Sequence, residues 1–388
     1  MNLEAIQTAL REAGHDGWLF YDHHHRDPIG ESILGLDPKA HITRRWYYFV
    51  PATGEPRKLV HRIEQGRLDT LPGSKGLYSS WQELAAGIQA MLADATRIAM
   101  QYSPNNAIMY VSMTDAGTVE FLRSLGKHIV SSADLVSVFE AVLSENQMAT
   151  HAVAQQAIDA LLAEGWQHMG QRLRTGTYTE YNHQQWLSEA MRRAGLVWQD
   201  GPNVSVNEHC SDSHYEPTAE RSAPIREGDF VLIDIWGRTD TDTSVYYDIT
   251  WTGVVGREPT EREQLVFSTV RNARDAAIAA VESAFAAGRS ICGFEADDAS
   301  RAVINAAGFG EYFTHRTGHN IAHAIHGPGA HLDNLETHDV RRILPHTCFS
   351  VEPGIYLPEF GVRSEINMMT SANRAWVTGR IQSDLVRI

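Results

Sequence analysis

The spacing of apolar residues changes period several times along the first part of the chain. Residues 3–13 carry the rhythm of an amphipathic helix, and after Gly14 and Gly17 the run Trp18-Leu19-Phe20-Tyr21 predicts a short buried strand. Trp46-Tyr47-Tyr48-Phe49-Val50, stopped by Pro51, predicts another. Helical spacing returns over 81–93 and strand over 97–102, so residues 1–144 are expected to form an α/β layer domain.

A long helical segment over 145–173 opens a second domain, 145–388. Residues 179–194 predict a further helix, with Thr179 as N-cap and Gly195 at its end. From Gly201 strands and Gly/Pro turns dominate, and Phe230-Val231-Leu232-Ile233-Asp234-Ile235 is the clearest buried strand. Helices are expected again over 260–287 and 294–307, before strand-rich sequence to the end, which makes the second domain α+β.

Composition narrows the class. The 388 residues are 43% hydrophobic and 21% charged, a globular balance on a chain long enough for two domains. A net charge of -15 leaves no basic stripe for a nucleic-acid partner. Cys210, Cys292 and Cys348 are too few and too scattered for a disulfide framework or a thiolate zinc site. The N-terminus lacks the basic start and apolar run of a signal peptide, and no stretch reaches the roughly 18 apolar residues of a membrane span. A cytoplasmic protein with no membrane partner is expected.

Four short segments carry candidate chemistry. Asp234 sits in an apolar strand, where a carboxylate is costly unless a cation accompanies it. Asp248 occupies the same kind of position in Val245-Tyr246-Tyr247-Asp248-Ile249-Thr250, and the polar residues 238–244 between them predict a hairpin that turns both toward one point. His315, His319, His323 and His326 fall within twelve residues; as a helix, the first three would share a face, although Gly318 opposes a helix. Glu352 and Glu365 each lie in an apolar run, separated by a Pro/Gly turn, and Arg363 is two residues from Glu365 and so placed to neutralise it. Four carboxylates and one imidazole suit divalent ions such as Mn²⁺, Co²⁺ or Fe²⁺. They exceed what one ion needs and point to a pair roughly 3.5–4 Å apart.

The ordered set Asp, Asp, His, Glu, Glu, within the words VLIDIWG…YYDITWTG, HRTGHNIAHAIHGPG, SVEPGIYLPEFG and VRSEI, resembles the pita-bread metallopeptidases: prolidase, aminopeptidase P and creatinase-like relatives. The likeness covers the second domain with His214-Tyr215, while the first domain matches a creatinase/prolidase-like N-terminal domain only in size and texture. The resemblance implies two divalent ions, manganese first, with cobalt, zinc or iron as alternatives. Asp234 would hold one ion through both oxygens, His319 and Glu352 the other, with Asp248 and Glu365 bridging. His315, His326 and His214 match supporting and substrate-facing histidines, and Arg363 a supporting position.

The activity implied is hydrolysis of the Xaa-Pro imide bond of dipeptides through a hydroxide bridging the ions. His326 would steady the oxyanion and Glu352 would shuttle the proton. Alternatives are an Xaa-Pro aminopeptidase acting on longer peptides, a non-peptidase relative acting on a creatine- or ectoine-like compound, or a module that lost its metal. For a dipeptide, Arg341 or His338 is the expected cation for the product-side carboxylate. Some positions depart from the family pattern: a longer hairpin carrying Asp240 and Asp242, Asn320 after the ligand histidine, an added His323, and Gly327. These are expected to alter the pocket wall. His23-His24-His25 reads as an exposed loop, and the resemblance implies that such a loop reaches a partner's site in a homodimer.

Overall fold

The computed structural model describes residues 1–388, which divide into two compact units, Met1–Glu140 and Ala141–Ile388. In the first, β1 (Gly17–Asp22), β2 (Trp46–Pro51), β3 (Arg57–His61), β4 (Ser74–Tyr78), β5 (Arg97–Met100) and β6 (His128–Ser131) form one sheet, ordered β4-β3-β2-β1-β5-β6. Side chains alternate across a strand, so Trp18, Phe20, Trp46 and Tyr48 share one face with Ile6 and Leu10 of α1 (Leu3–Glu12) and Ile33 of α2 (Pro28–Leu34). Leu19, Tyr47 and Phe49 take the other, against Leu84 and Ile88 of α3 (Trp81–Met91) and Val119 and Leu122 of α4 (Ala116–Ser124). A sheet covered on both faces needs apolar residues at every position, which explains the unbroken runs in β1 and β2. A short α5 (Ala133–Val136) lies near the end of the unit.

The second unit opens with α6 (Glu145–Leu173) and α7 (Glu180–Arg193), each begun by a capping box: Ser144 with Gln147, and Thr179 with Asn182. β7 (Leu196–Val197), β8 (Asn203–Val206) and the hairpin β9 (Phe230–Thr239) and β10 (Tyr247–Val254) follow. β9 pairs with β10 on one side and with β7 and β8 on the other, and β17 (Val386–Arg387) adds to β10. Val231, Ile233 and Ile235 pack with Ile158 and Leu162 of α6 and Leu187 and Met191 of α7. The even-numbered face of β9 is thereby turned away from those helices.

β11 (Asn320–Ile321), β12 (Cys348–Val351), β15 (Ile366–Ser371) and β16 (Arg374–Thr378) form a second sheet, and β13 (Gly354–Tyr356) with β14 (Gly361–Arg363) a ribbon. One helix, α8 (Glu261–Ala286), serves both sheets: Val266, Phe267 and Val270 pack with Phe230, Leu232 and Val254, and further along Ala277 and Val281 pack with Phe349, Val351 and Ile366. α9 (Gly293–Ala306) lies against α8. Asn367 then ties β15 to β10, accepting from the Asp248 N–H at 2.9 Å and donating to the Asp248 carbonyl at 2.7 Å.

Candidate metal centre

In the β9–β10 ladder Asp234 stands opposite Thr250, and Asp248 opposite Trp236. Opposite residues share a face and 248 lies two before 250, so both aspartates project from the even face along a diagonal of the ladder. The hairpin turn is longer than the two strands require. It is closed by Arg238, which donates to the Thr239 and Thr241 carbonyls and to Ser244 Oγ. Asp240 and Asp242 are exposed at its tip, so the extra length is a turn insertion and neither residue joins the carboxylates.

His319 arrives by a different route. The segment 315–326 is not a helix: the Thr317 and Gly318 N–H groups donate to the Leu332 carbonyl at 2.9 and 3.3 Å, and only Asn320–Ile321 is regular, as strand. Gly318 lies so close to β12 that a Cβ would fall 2.0 Å from the Ser350 carbonyl oxygen. This contact lets the His319 N–H donate to Ser350 Oγ at 2.9 Å, while Ser350 Oγ donates to Glu352 Oε1 at 3.0 Å. His319 Nε2 comes within 3.3 Å of Glu352 Oε1 and 3.6 Å of Asp248 Oδ2.

Glu365 is held by β10: its N–H donates to the Thr250 carbonyl at 3.1 Å and its Oε2 accepts from the Thr250 hydroxyl at 2.8 Å. Contrary to the expectation from their spacing, Arg363 makes no hydrogen bond to Glu365. β14 ends at Arg363 and β15 begins at Ile366, so the strand rule lapses at Ser364, whose Oγ accepts from the buried Arg274 at 2.7 Å. Arg363 instead donates to Asp234 Oδ2, to Thr250 Oγ1 and to the Tyr356 hydroxyl. Asp234 Oδ2 thus accepts from Arg363 and keeps a second lone pair, while Oδ1 receives no hydrogen bond from the protein.

One ligand atom from each of Asp248, His319 and Glu365 lies within 4.8 Å of the other two, and all three residues are buried. Asp234 Oδ1, Asp248 Oδ1 and Glu365 Oε1 are buried and receive no hydrogen bond from the protein. Such acceptors are costly unless a cation or donor reaches them. Burial pushes the Asp234 carboxyl up to about 6, with Arg363 pulling back and the Asp248 charge adding to the rise. Burial also holds Asp248 and Glu365 well above the usual range, helped by Glu352 for the first and by Asp248, Glu352 and Asp234 for the second. His319 is lowered by burial and so is a neutral donor. An oxygen-rich donor set that repels itself without positive charge fits divalent cations.

The first unit holds a useful contrast in Asp22, His25 and Glu31, which also lie within ligand distance of one another. There the carboxylates are already served. Asp22 accepts from the N–H groups of His25, Arg26 and Asp27, and Glu31 from Arg67 at 2.6 Å and from His25 at 2.8 Å. His25 is thus a structural residue of the His23-His24-His25 loop, in which His24 is exposed.

Other candidates fall on either side of this test. His315 Nε2 meets the Tyr356 hydroxyl at 2.7 Å, completing a chain from His315 through Tyr356 and Arg363 to Asp234. The His326 ring stands edge-on to His319 with centroids 4.3 Å apart, and the neighbouring His319 imidazole, then burial and the Arg316 charge, hold its pKa down at about 3. Arg341 is a clear correction: its guanidinium is 1% exposed and closes on both oxygens of Asp339 and on the Pro328 carbonyl, so it braces a loop and is shut off from any substrate. His338 is exposed, with its ring on Phe294 and its Nδ1 paired with Asn334 at 2.7 Å.

Asn320 and Gly327 depart from the family pattern together. The Asn320 side chain is buried, donates to the Cys348 carbonyl and accepts from Gly329, and a Cβ at Gly327 would meet its Oδ1 at 2.3 Å. The two residues meet in the interior, where the missing Cβ of Gly327 makes room for the Asn320 side chain. His323 meets the Ser244 carbonyl at 3.1 Å and braces the long hairpin. Sequence reasoning missed Arg316, whose charge depresses His319, His326 and His331, and it missed Asn367 and Tyr356. Arg316 stood beside His315 in the motif, and only its position relative to the folded histidines distinguishes it from a surface arginine.

Two sheets converge on a buried, oxygen-rich donor set of the kind that suits divalent metal ions. The chain belongs to metallopeptidase family M24, whose sequence model matches residues 147–372, and its second unit has the pita-bread fold. It is similar to the Xaa-Pro dipeptidase of Lactobacillus helveticus, at 32% identity over 164 residues, 42% of this chain and 40% of that one. Its matches span about half or less of the length of such curated relatives. Among solved structures, dipeptidase PepE from Mycobacterium ulcerans has a TM-score of 0.71 at 22% identity, covering 99% of this chain and 96% of that one. The X-prolyl aminopeptidase of Caenorhabditis elegans, described as a cytosolic enzyme with a di-nuclear active site, has a TM-score of 0.62 at 15% identity, covering 98% and 62%. No helix is long and apolar enough to cross a membrane.

Proposed function

We propose that this chain is a cytoplasmic, homodimeric two-metal hydrolase that cleaves the Xaa-Pro imide bond of dipeptides. The observation that carries the reading is the set of three buried carboxylate oxygens, on Asp234, Asp248 and Glu365, that no protein donor serves. Asp234, Asp248, His319, Glu352 and Glu365 would hold the ions, with manganese expected from the mostly oxygen donors. When bound, two such ions would lower the pKa of a water and offer Lewis-acid chemistry to the scissile carbonyl. Family membership supports peptide hydrolysis as that chemistry, and the names of the Lactobacillus and Mycobacterium relatives favour dipeptides.

The chain's own residues then have distinct tasks. Glu352 accepts from Ser350 through Oε1, which orients the carboxyl that moves the proton toward the leaving nitrogen. His326, held neutral beside His319, donates an N–H to the developing oxyanion. Arg363 keeps Asp234 ionised, and Tyr356 and His315 keep Arg363 in place. His214 joins His326 at the substrate side. With Arg341 sealed by Asp339, Arg316 replaces it as the cation for the product-side carboxylate.

The test is turnover of an Xaa-Pro dipeptide panel by the purified chain with Mn²⁺, beside a metal analysis. Wild-type protein is expected to cleave Leu-Pro and to bind about two ions per chain. Arg316→Met should raise KM for dipeptides roughly tenfold and leave C-terminally amidated substrates unchanged. Turnover of longer Xaa-Pro peptides with none of dipeptides would move the reading to an aminopeptidase. Absence of metal from folded protein in millimolar Mn²⁺ would end it.

A further inference from the structure

The sheet face that carries the two aspartates carries two more side chains that the proposed chemistry does not use. In the β8–β9 ladder Asn203 stands directly opposite Asp234, and in the β9–β10 ladder Trp236 stands directly opposite Asp248. Asn203, Asp234 and Thr250 therefore form one row across three strands, and Trp236 and Asp248 lie in the next. Asn203 is 5% exposed, and its Oδ1 is buried with no hydrogen-bond partner in the protein. It lies on the β8 side of Asp234, whereas Asp248 and its neighbour Thr250, which binds Arg363 and Glu365, lie on the β10 side.

Trp236 is fixed in orientation. Its Nε1 donates to the Gln199 carbonyl at 2.9 Å, and its six-membered ring rests on Gly201, where a Cβ would come within 2.3 Å of it. Trp198 donates from its own Nε1 to the Gly201 carbonyl at 3.0 Å, which holds the loop beneath the ring. With its N–H engaged, Trp236 offers a partner only apolar and π surface. On β9 the odd neighbours Ile235 and Gly237 are buried, while Asp234 and Trp236 are both partly open to solvent.

We propose that Asn203 accepts a hydrogen bond from the substrate's free α-ammonium group and that Trp236 walls the side chain of the first residue. This inference deepens the peptidase reading and rests on it. In a peptide the α-nitrogen is about 2.5 Å from the following carbonyl carbon, so an amino terminus whose scissile carbonyl meets the carboxylate cluster lies beside that cluster. An ammonium group needs acceptors, and Asn203 supplies a buried one that no protein donor has claimed. On the flank away from Arg363 it meets no competing cation from that side chain. The substrate class is then a peptide with an unblocked amino terminus and an apolar or aromatic first residue.

The test is calorimetric titration of the full, Mn²⁺-loaded chain with L-leucine amide, glycine amide and N-acetyl-L-leucine amide. Wild-type protein is expected to bind leucine amide more tightly than glycine amide and the acetylated compound at least tenfold more weakly. Asn203→Ala should weaken leucine amide about tenfold, and Asn203→Asp, which keeps the acceptor and the shape, should retain binding. Trp236→Ala should erase the preference for leucine over glycine, and Trp236→Phe should keep it.

Equal binding of the free and acetylated amides by wild-type protein overturns the proposal whether or not the variants fold. So does an Asn203→Ala protein that folds and binds as wild type does. These amides contain no proline, so the expected pattern without Xaa-Pro turnover would sink the dipeptidase reading and leave this subsite standing. Turnover of Xaa-Pro peptides with flat amide binding would do the reverse.

Discussion

Burial first, and then neighbouring carboxylates, raise the pKa of Asp234, Asp248 and Glu365, and each keeps one oxygen that nothing in the protein serves. Only cations relieve both conditions at once. The sign of the consequence is definite: carboxyls with raised pKa hold protons when no metal is bound, and an ion must displace them. With Asp234 raised to about 6 and the other two well above the ordinary carboxylate range, Mn²⁺ affinity should rise steadily from pH 5.5 to 8. Binding at pH 6 should release protons, seen as heats that differ between buffers of unequal ionisation enthalpy. Affinity and heat independent of pH would contradict the cluster's electrostatics. At this scale the sequence was informative about residue types, but it could not show that Arg363 would choose Asp234 over Glu365, because that choice depends on the break at Ser364.

The elements are joined to one another by single buried polar contacts. His151 of α6 is one of these joints: Nδ1 meets the Tyr246 carbonyl at 2.6 Å and Nε2 the Thr378 hydroxyl at 2.9 Å, linking the helix to the residue before β10 and to the end of β16. Burial pushes its pKa down to about 4, against an ordinary 6.5. Between those values the unfolded chain binds the extra proton, so the stability His151 contributes is present above pH 6.5 and is lost as pH falls toward 4. His151→Gln should flatten that part of the profile by about 2–3 kcal/mol in denaturant titrations compared at pH 4.5 and 7.5. An unchanged slope would mean that the ring reaches solvent before unfolding. The helices and capping boxes were legible in the chain because they depend on neighbours a few residues away. The non-helical path of 315–326 was not, because it depends on Gly318 lying against Ser350 of β12.

At the scale of the whole molecule, the five proposed ligands come from β9, β10, the stretch before β11, the link after β12 and the stretch before β15. The unfolded chain cannot assemble them, so ions bind the folded state and stabilise it by mass action. At Mn²⁺ a hundredfold above Kd, one site class adds about 2.7 kcal/mol. The thermal midpoint should therefore rise with Mn²⁺, fall back with a chelator, and respond much less in Asp248→Asn. A wild-type midpoint indifferent to both additions would contradict the proposed ligand set.

The sequence by itself determined the class of elements, the hairpin that sets Asp234 and Asp248 on one face, and the kinds of donor atom available. These follow from local periodicity and from the cost of placing carboxylates in apolar strands. Tertiary structure alone decided that Arg341 is locked to Asp339, that Asn320 fills the space left by Gly327, that Asp240 and Asp242 stay outside, and that Asn203 and Trp236 share the aspartates' face. The reason is physical: partner choice among buried charges and close-packed side chains depends on which distant strands meet, and no spacing along one chain encodes that.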